Sequence, residues 1–381
     1  VSSRKKSILL SFAAAMFLLA GCAIDPVTAE KDRQPVVFDV RKLPVAIAPS
    51  ELTVTRSVSL SAIGDILIHE RVYLDAKTAN GFDFNPMLQK VTPFLESADI
   101  TVANSESIIG GSEIGLSTYP AFNSPYEVGD ALKESGVDVV SLANNHTLDR
   151  GIPAIENAIR YWDQLGITHS GSYLSADERA EIALMTRNGI TFSFLSYTYG
   201  TNGIPTPAGQ DYLVNRIDPL LIKRDLKRAR EMSDVVVLSL HFGEEYQKMP
   251  NAEQIELAHF SAENGADIIL GHHPHVLQPP EWIDTEDGRR AFVIYSLGNF
   301  LSGQDEVDRQ IGAILHLDIE KEMTGNSSTI SLQNPAFTTT FVRSSNSKDY
   351  EMDLLKNVDA DLNTATKAHL STWIEDLQFI E

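Results

Sequence analysis

Asp267-Ile-Ile-Leu-Gly-His-His-Pro-His-Val-Leu-Gln278 decides how the rest of the chain is read. Ile268 to Leu270 is an apolar run with the character of a buried strand, and Gly271 ends it. Three histidines follow within four positions, His272, His273 and His275, with Pro274 stiffening the turn. Imidazole is the commonest metal-ligating side chain, and His-x-His at a strand end can aim two rings at one point. Taken alone, the pattern reads equally as two histidines at a surface loop tip. Recurrence separates the two readings.

The same succession of apolar strand and polar, ligand-type cluster appears on both sides of this stretch. Val235 to Leu240 runs into His241-Phe-Gly-Glu-Glu-Tyr246, and Val137 to Ala143 into Asn144-Asn-His-Thr-Leu-Asp149. Ser57 to Ile63 leads into Gly64-Asp65 and on to His69, and Ile100 to Ala103 into Asn104-Ser105-Glu106. Downstream, Ala291 to Tyr295 ends in Ser296-Leu-Gly-Asn-Phe300. Helices are expected at Phe84 to Ser97, Tyr126 to Gly136, Pro153 to Leu165, Asp218 to Met232 and Ala252 to Asn264, with another strand at Ile190 to Tyr197. Gly110 to Tyr126 and Gly200 to Gln210 read as open loops. Ile311 to Ile319, Ser328 to Leu332 and Thr338 to Val342 look like successive antiparallel strands, and Tyr350 to Leu377 like a polar helical tail. Repeated strand–loop–helix units predict a layered α/β fold.

In such a fold the strand ends gather on one edge, so these clusters converge. They deliver Asp65, His69, Asn104, Glu106, Asn144, Asn145, His146, Asp149, His241, Glu245, His273, His275 and Asn299. Carboxylate, imidazole and amide oxygen make a mixed N/O donor set suited to divalent Zn, Mn or Fe. The only cysteine is Cys22, which excludes both a thiolate zinc site and an intrachain disulfide.

The 381 residues carry a formal charge of −21 at pH 7, which repels nucleic acid and excludes it as a general partner. The N-terminal stretch reads as an address. Arg4-Lys5-Lys6 precedes a short apolar run, Ser7 to Ala20, closed by Leu19-Ala-Gly-Cys22, which resembles a bacterial lipobox. An ordinary secretory signal or an uncleaved anchor is the competing reading. The expected organisation is therefore a signal peptide at 1–21, a proline-bearing tether at 22–55, a catalytic body at 56–345 and a helical tail at 346–381. Cys22 is the expected lipidation site, holding an exported protein on the envelope membrane.

Six of these stretches, in order from residue 58 to residue 302, resemble the motifs of the CapA family of poly-γ-glutamate capsule synthesis proteins. That family is similar in fold to the calcineurin-like metallophosphatases. The resemblance implies a four-layer α/β/β/α sandwich of the metallophosphatase type and a role in synthesis or export of poly-γ-glutamate, an anionic envelope polymer. A capsule-synthesis membrane complex is the further partner it implies. On this reading Asp65, Glu106, Asn145, His241, His273 and His275 hold metal. His146 serves as acid or orienting group, with Asp149 and Glu245 supporting the imidazoles, and Asn104, Asn144 and Asn299 touch substrate. The chain also departs from the metallophosphatase pattern: Leu67 stands where a histidine is usual, Asn104-Ser105-Glu106 replaces a Gly-Asp motif, and His272 is an added residue. Two functions fit: a metal-dependent hydrolase of a phosphoester or amide, or a non-catalytic factor that binds and hands on the polymer.

Overall fold

The computed structural model describes residues 52–381. The signal peptide, Cys22 and nearly all of the tether expected from the sequence lie outside the described residues. Four parallel strands, β1 (Thr53–Leu67), β2 (Ile100–Asn104), β3 (Val139–Ser141) and β4 (Thr168–Ser170), form one arm of the first sheet. The second sheet holds β5 (Ala183–Arg187), β6 (Ile190–Thr198), β7 (Val235–His241), β8 (Ile268–His272), β9 (Leu277–Asp284) and β10 (Arg290–Leu297). Its order is β5-β6-β7-β8-β10-β9. The chain then returns to the first sheet as β11 (Asn299–Ser302), β12 (Ile311–Thr324), β13 (Ser327–Ser345), β14 (Lys348–Leu354) and β15 (Gln378–Phe379). The order there is β14-β13-β12-β1-β2-β3-β4, with β11 beside β1 and β15 beside β13.

Three apolar layers define the architecture. Between the sheets, Val58, Leu60 and Val102 of the first pack with Phe192, Val237, Ile268 and Ile294 of the second. On the outer face of the first sheet, Ile63, Ala103 and Val140 meet the helices Glu127–Glu134 and Gly151–Leu165 through Leu132, Ile155 and Trp162. On the outer face of the second, Val236, Leu238 and Ile269 meet the helices Pro219–Met232 and Ala252–Glu263 through Leu226 and Ala262. Strand residues alternate between these layers, as a two-sided sheet requires. The result is the expected α/β/β/α sandwich.

Several elements differ from the sequence reading. The helix expected at Phe84 to Ser97 is two short ones, Asn85–Leu88 and Thr92–Glu96, because Pro93 cannot donate to the preceding turn and its ring collides with it. The strands expected at Ser328 to Leu332 and Thr338 to Val342 are one strand, β13. Asn334, at φ +51°, absorbs a bulge beside Pro335, where the register against β12 shifts. The tail is helical over Leu355–Val358 and Ala360–Leu370, but it opens with a strand and packs into the body. Tyr350 and Met352 alternate with Glu351 and Asp353 to make the edge strand β14, and Leu355, Leu370, Ile374 and Leu377 belong to the inter-sheet core. The body also begins earlier than expected, since β1 starts at Thr53.

What positions the site is the register. Asp65 lies opposite Asn104 of β2 and Asn299 of β11, and His241 opposite His272 of β8. Backbone crowding fixes these alignments. A Cβ on Gly64 would lie 1.9 Å from the Gly298 carbonyl oxygen, and one on Gly271 would lie 1.9 Å from that of Tyr295. Gly271→Ala should therefore prise β8 from β10 and lower stability by about 1–3 kcal/mol. It should also displace the histidines that follow. Thermal melting beside metal analysis checks this, and a variant with wild-type melting and metal content would refute it.

Candidate metal centre

Each strand end brings one or two side chains to the same edge. Asp65 comes from β1, Asn104 and Glu106 from the end of β2, and Asn145 and His146 from the turn after β3. His241 ends β7, and His273 and His275 follow β8. The turn after β8 is bent unusually: His273 has φ +98° and His275 φ +59°. A side chain in that region costs on the order of 1–3 kcal/mol, and such residues gather at functional sites. Here the bend lets both rings face Glu106.

Glu106 is the hub. It is fully buried, and neither carboxylate oxygen has a hydrogen-bond partner. One ligand atom each from Glu106, His273 and His275 falls within 4.8 Å of the others. Glu106 Oε1 lies 3.6 Å from His241 Nε2 and 3.7 Å from His275 Nε2. Around it, Asn104 Oδ1, His273 Nδ1 and both ring nitrogens of His272 are also buried without partners. Asn145 Oδ1 lies 2.9 Å from His241 Nε2, a contact that serves as a hydrogen bond in one tautomer and as two converging lone pairs in the other. So many buried polar atoms without partners would be costly in a closed core. The donor set matches a divalent cation with nitrogen and oxygen ligands.

Support comes from behind. Asp65 accepts from Asn104 Nδ2 at 2.8 Å and from the His273 backbone N–H at 3.2 Å. His275 Nδ1 lies 3.2 Å from Asp65 Oδ2 and 3.1 Å from Asn299 Oδ1, so its proton is held on that side and Nε2 turns to Glu106. Burial drives His273 down to about 3, His272 to about 4 and His241 well below the usual imidazole range, keeping all three neutral with lone pairs available. Burial pushes Glu106 well above the carboxylate range. For His275 burial opposes the charge, but Glu106 and Asp65 outweigh it and raise the ring to about 9. The pair thus retains a proton that a bound cation would displace.

Beside this cluster stands a dyad. His146 Nδ1 lies 2.7 Å from Asp149 Oδ2, and the same oxygen accepts the Phe122 backbone N–H at 2.7 Å. Facing a carboxylate, Nδ1 carries the proton and Nε2 keeps its lone pair. The Phe122 ring packs edge-on against His146, with centroids 4.7 Å apart.

The family model for bacterial capsule synthesis protein PGA_cap matches residues 59–304, which include every one of these side chains. The chain belongs to that family. Its relatives include the PGA biosynthesis protein CapA of Bacillus subtilis (strain 168), 28% identical over 284 residues, or 70% of this chain and 69% of that one. The capsule biosynthesis protein CapA of Bacillus anthracis is 28% identical over 275 residues, covering 68% and 63%. Among solved structures, the NAD nucleotidase of Haemophilus influenzae aligns with a TM-score of 0.42 at 13% identity, over 85% of this chain and 57% of that one. The 5'-nucleotidase precursor of Thermus thermophilus aligns at 0.42 and 11%, over 72% and 54%.

In this PGA_cap protein the six expected ligands, Asp65, Glu106, Asn145, His241, His273 and His275, all reach one neighbourhood. Asp65 differs in degree, because both its oxygens are already engaged. Two of the three residues expected at substrate are hydrogen-bonded within the protein. Asn144 is spent on local structure, donating to the Ser105 carbonyl at 2.9 Å and accepting the His146 backbone N–H at 3.0 Å. Asn299 orients His275 and donates to Gln304 and the Arg309 carbonyl. Asn104 presents a free, buried Oδ1 to the centre and is better placed as a ligand. Glu245 makes no hydrogen bond to an imidazole among the described residues; it is exposed on a groove wall. His272, with both nitrogens free and Nδ1 3.6 Å from Asp65, is a further candidate ligand. It continues the inter-sheet face of Ile268 and Leu270, a signal available from period two alone. Tyr199 and Asn202 carried no comparable signal. Tyr199 packs on His273 at 4.6 Å, and the Asn202 amide reaches Asn145 at 3.3 Å.

Proposed function

We propose that this PGA_cap protein is a metal-dependent hydrolase acting on a phosphoester or amide of an anionic envelope polymer such as poly-γ-glutamate, within the machinery that makes or exports capsule. The observation that carries this reading is Glu106, a buried carboxylate with both oxygens free amid three imidazoles. Glu106, His241, His273 and His275, with Asn104 and Asn145, would hold the ion, and Asp65 sets the orientation of His275. A divalent ion would supply Lewis acidity there, for a phosphoryl or carbonyl oxygen and for the deprotonation of water. His146 holds its Nδ1 proton against Asp149 and offers Nε2 to take a proton from, or return one to, the reacting group. Phe122 shields that ring from water. Metal analysis of the purified protein, beside hydrolysis of bis-p-nitrophenyl phosphate and of a chromogenic amide, tests the reading. Metal-loaded protein inert toward both refutes it.

One observation favours the polymer-binding alternative. Leu67 leaves the first motif without its histidine, and both oxygens of Asp65 already have hydrogen-bonding neighbours within the protein. Polymer binding by metal-loaded protein with no turnover is the outcome that would select it.

The location belongs to the same proposal. Leu19 to Cys22 makes the protein a lipid-anchored component of the cell envelope, where several acyl chains on one cysteine give lasting attachment. Cys22→Ser should leave the protein unprocessed or released from membranes in cell fractionation. A lipid-free mature N-terminus at another residue would overturn this.

A further inference from the structure

A groove of about 830 Å³ opens next to the metal centre, and its lining interleaves two kinds of surface. Tyr199, Phe242, Leu257 and Phe260 supply an apolar and aromatic surface. Glu244, Glu245, Glu253 and Glu256 supply four exposed carboxylates, and no lysine or arginine is among the described residues lining it. The groove is joined to the centre by a side chain: His273, only 3% exposed, lines it and has an unpartnered Nδ1.

We propose that this groove receives an organic ammonium group, carried on a short apolar arm by a substrate whose phosphoryl end lies at the metal centre. The inference rests on the reading of that centre as a phosphoester site and adds the class of the attached group. Aromatic faces attract a desolvated cation, notably a quaternary ammonium, and the apolar side chains of the lining suit the arm. The four carboxylates add a favourable field inside a concave site. The same field repels a run of carboxylates, so an unmodified polyanion must approach the centre from another side.

Calorimetric titration of the Mn-loaded protein with two matched ligands tests this. Phosphocholine and 3,3-dimethylbutyl phosphate have the same shape and differ in a charged nitrogen against a neutral carbon. Phosphocholine should bind on the order of tenfold tighter. The preference should fall to about half in the double variant Glu253→Gln/Glu256→Gln, which leaves the aromatic side chains, Glu244 and Glu245 in place, changes exposed groups and should melt like wild type. Equal affinities, tighter binding of the neutral ligand, a preference undiminished by the double substitution, or no binding of either ligand would overturn the proposal. Hydrolysis of bis-p-nitrophenyl phosphate is read separately. Preference without hydrolysis removes the enzyme and keeps the groove, and hydrolysis without preference does the reverse.

Discussion

His146→Ala should abolish most turnover while leaving metal content and melting temperature close to wild type. The ring lies beside the ligand cluster, and its firm bond is to Asp149. Asp149 keeps the Phe122 N–H when the imidazole is removed, so the loop stays anchored. A positioned acid or base contributes roughly 10²–10⁴-fold in rate, equivalent to about 3–5 kcal/mol of barrier. Asp149→Asn should lose less, because the ring remains but its tautomer is no longer dictated. Steady-state kinetics on the substrate found by the screen, with metal analysis of each variant, measures both. A His146→Ala protein that has lost its metal would show that the histidine is a ligand and that the division between dyad and cluster is wrong.

Glu106→Gln should change sign with metal. In the loaded protein the substitution removes the central anionic ligand, and the ion with it. An ion present at 100 times its Kd stabilises the native state by about 2.7 kcal/mol, and the variant forfeits that. Without metal the order reverses or levels, because the wild type then buries a carboxylate with no donor while the amide is neutral. Melting curves of both proteins, with and without a chelator, give four temperatures. Should wild type melt higher than the variant by the same margin in both conditions, Glu106 is a packing residue and not a ligand. His275→Ala should likewise lose metal, but without the reversal, since it leaves Asp65 and Glu106 unneutralised.

The layered fold and the location of the centre were legible in the sequence for one reason. Buried parallel strands are continuous apolar runs, and each stops abruptly at a polar residue. His241, His273 and Glu106 announced themselves by following such runs. The roles of the asparagines were not legible. Asn144, Asn299 and Asn104 share one side chain and one kind of position, yet they cap a turn, orient a ring and offer a free oxygen, respectively. Only the three-dimensional partner of each amide decides this. Tyr199 and Asn202 sit in a loop whose composition signals openness, and their approach to His273 and Asn145 depends on how that loop folds back. Strand β14 was obscured by its polar outward face, although Tyr350 and Met352 kept the alternation.

The centre also bears on how the two sheets are held together. Glu106 and Asn145 leave the first sheet, whereas His241, His273 and His275 leave the second. Below them the sheets meet through the apolar contacts of the core and a few polar ties, among them Ser170 Oγ to Ser196 Oγ at 2.6 Å and the Arg187–Asp138 and Lys321–Asp234 ion pairs. A cation held by residues of both sheets would act as a rivet between two plates. Occupancy would then brace at the rim an alignment that the polar ties hold lower down, and steady the distance from the His146–Asp149 pair on the first sheet to the acidic groove on the second.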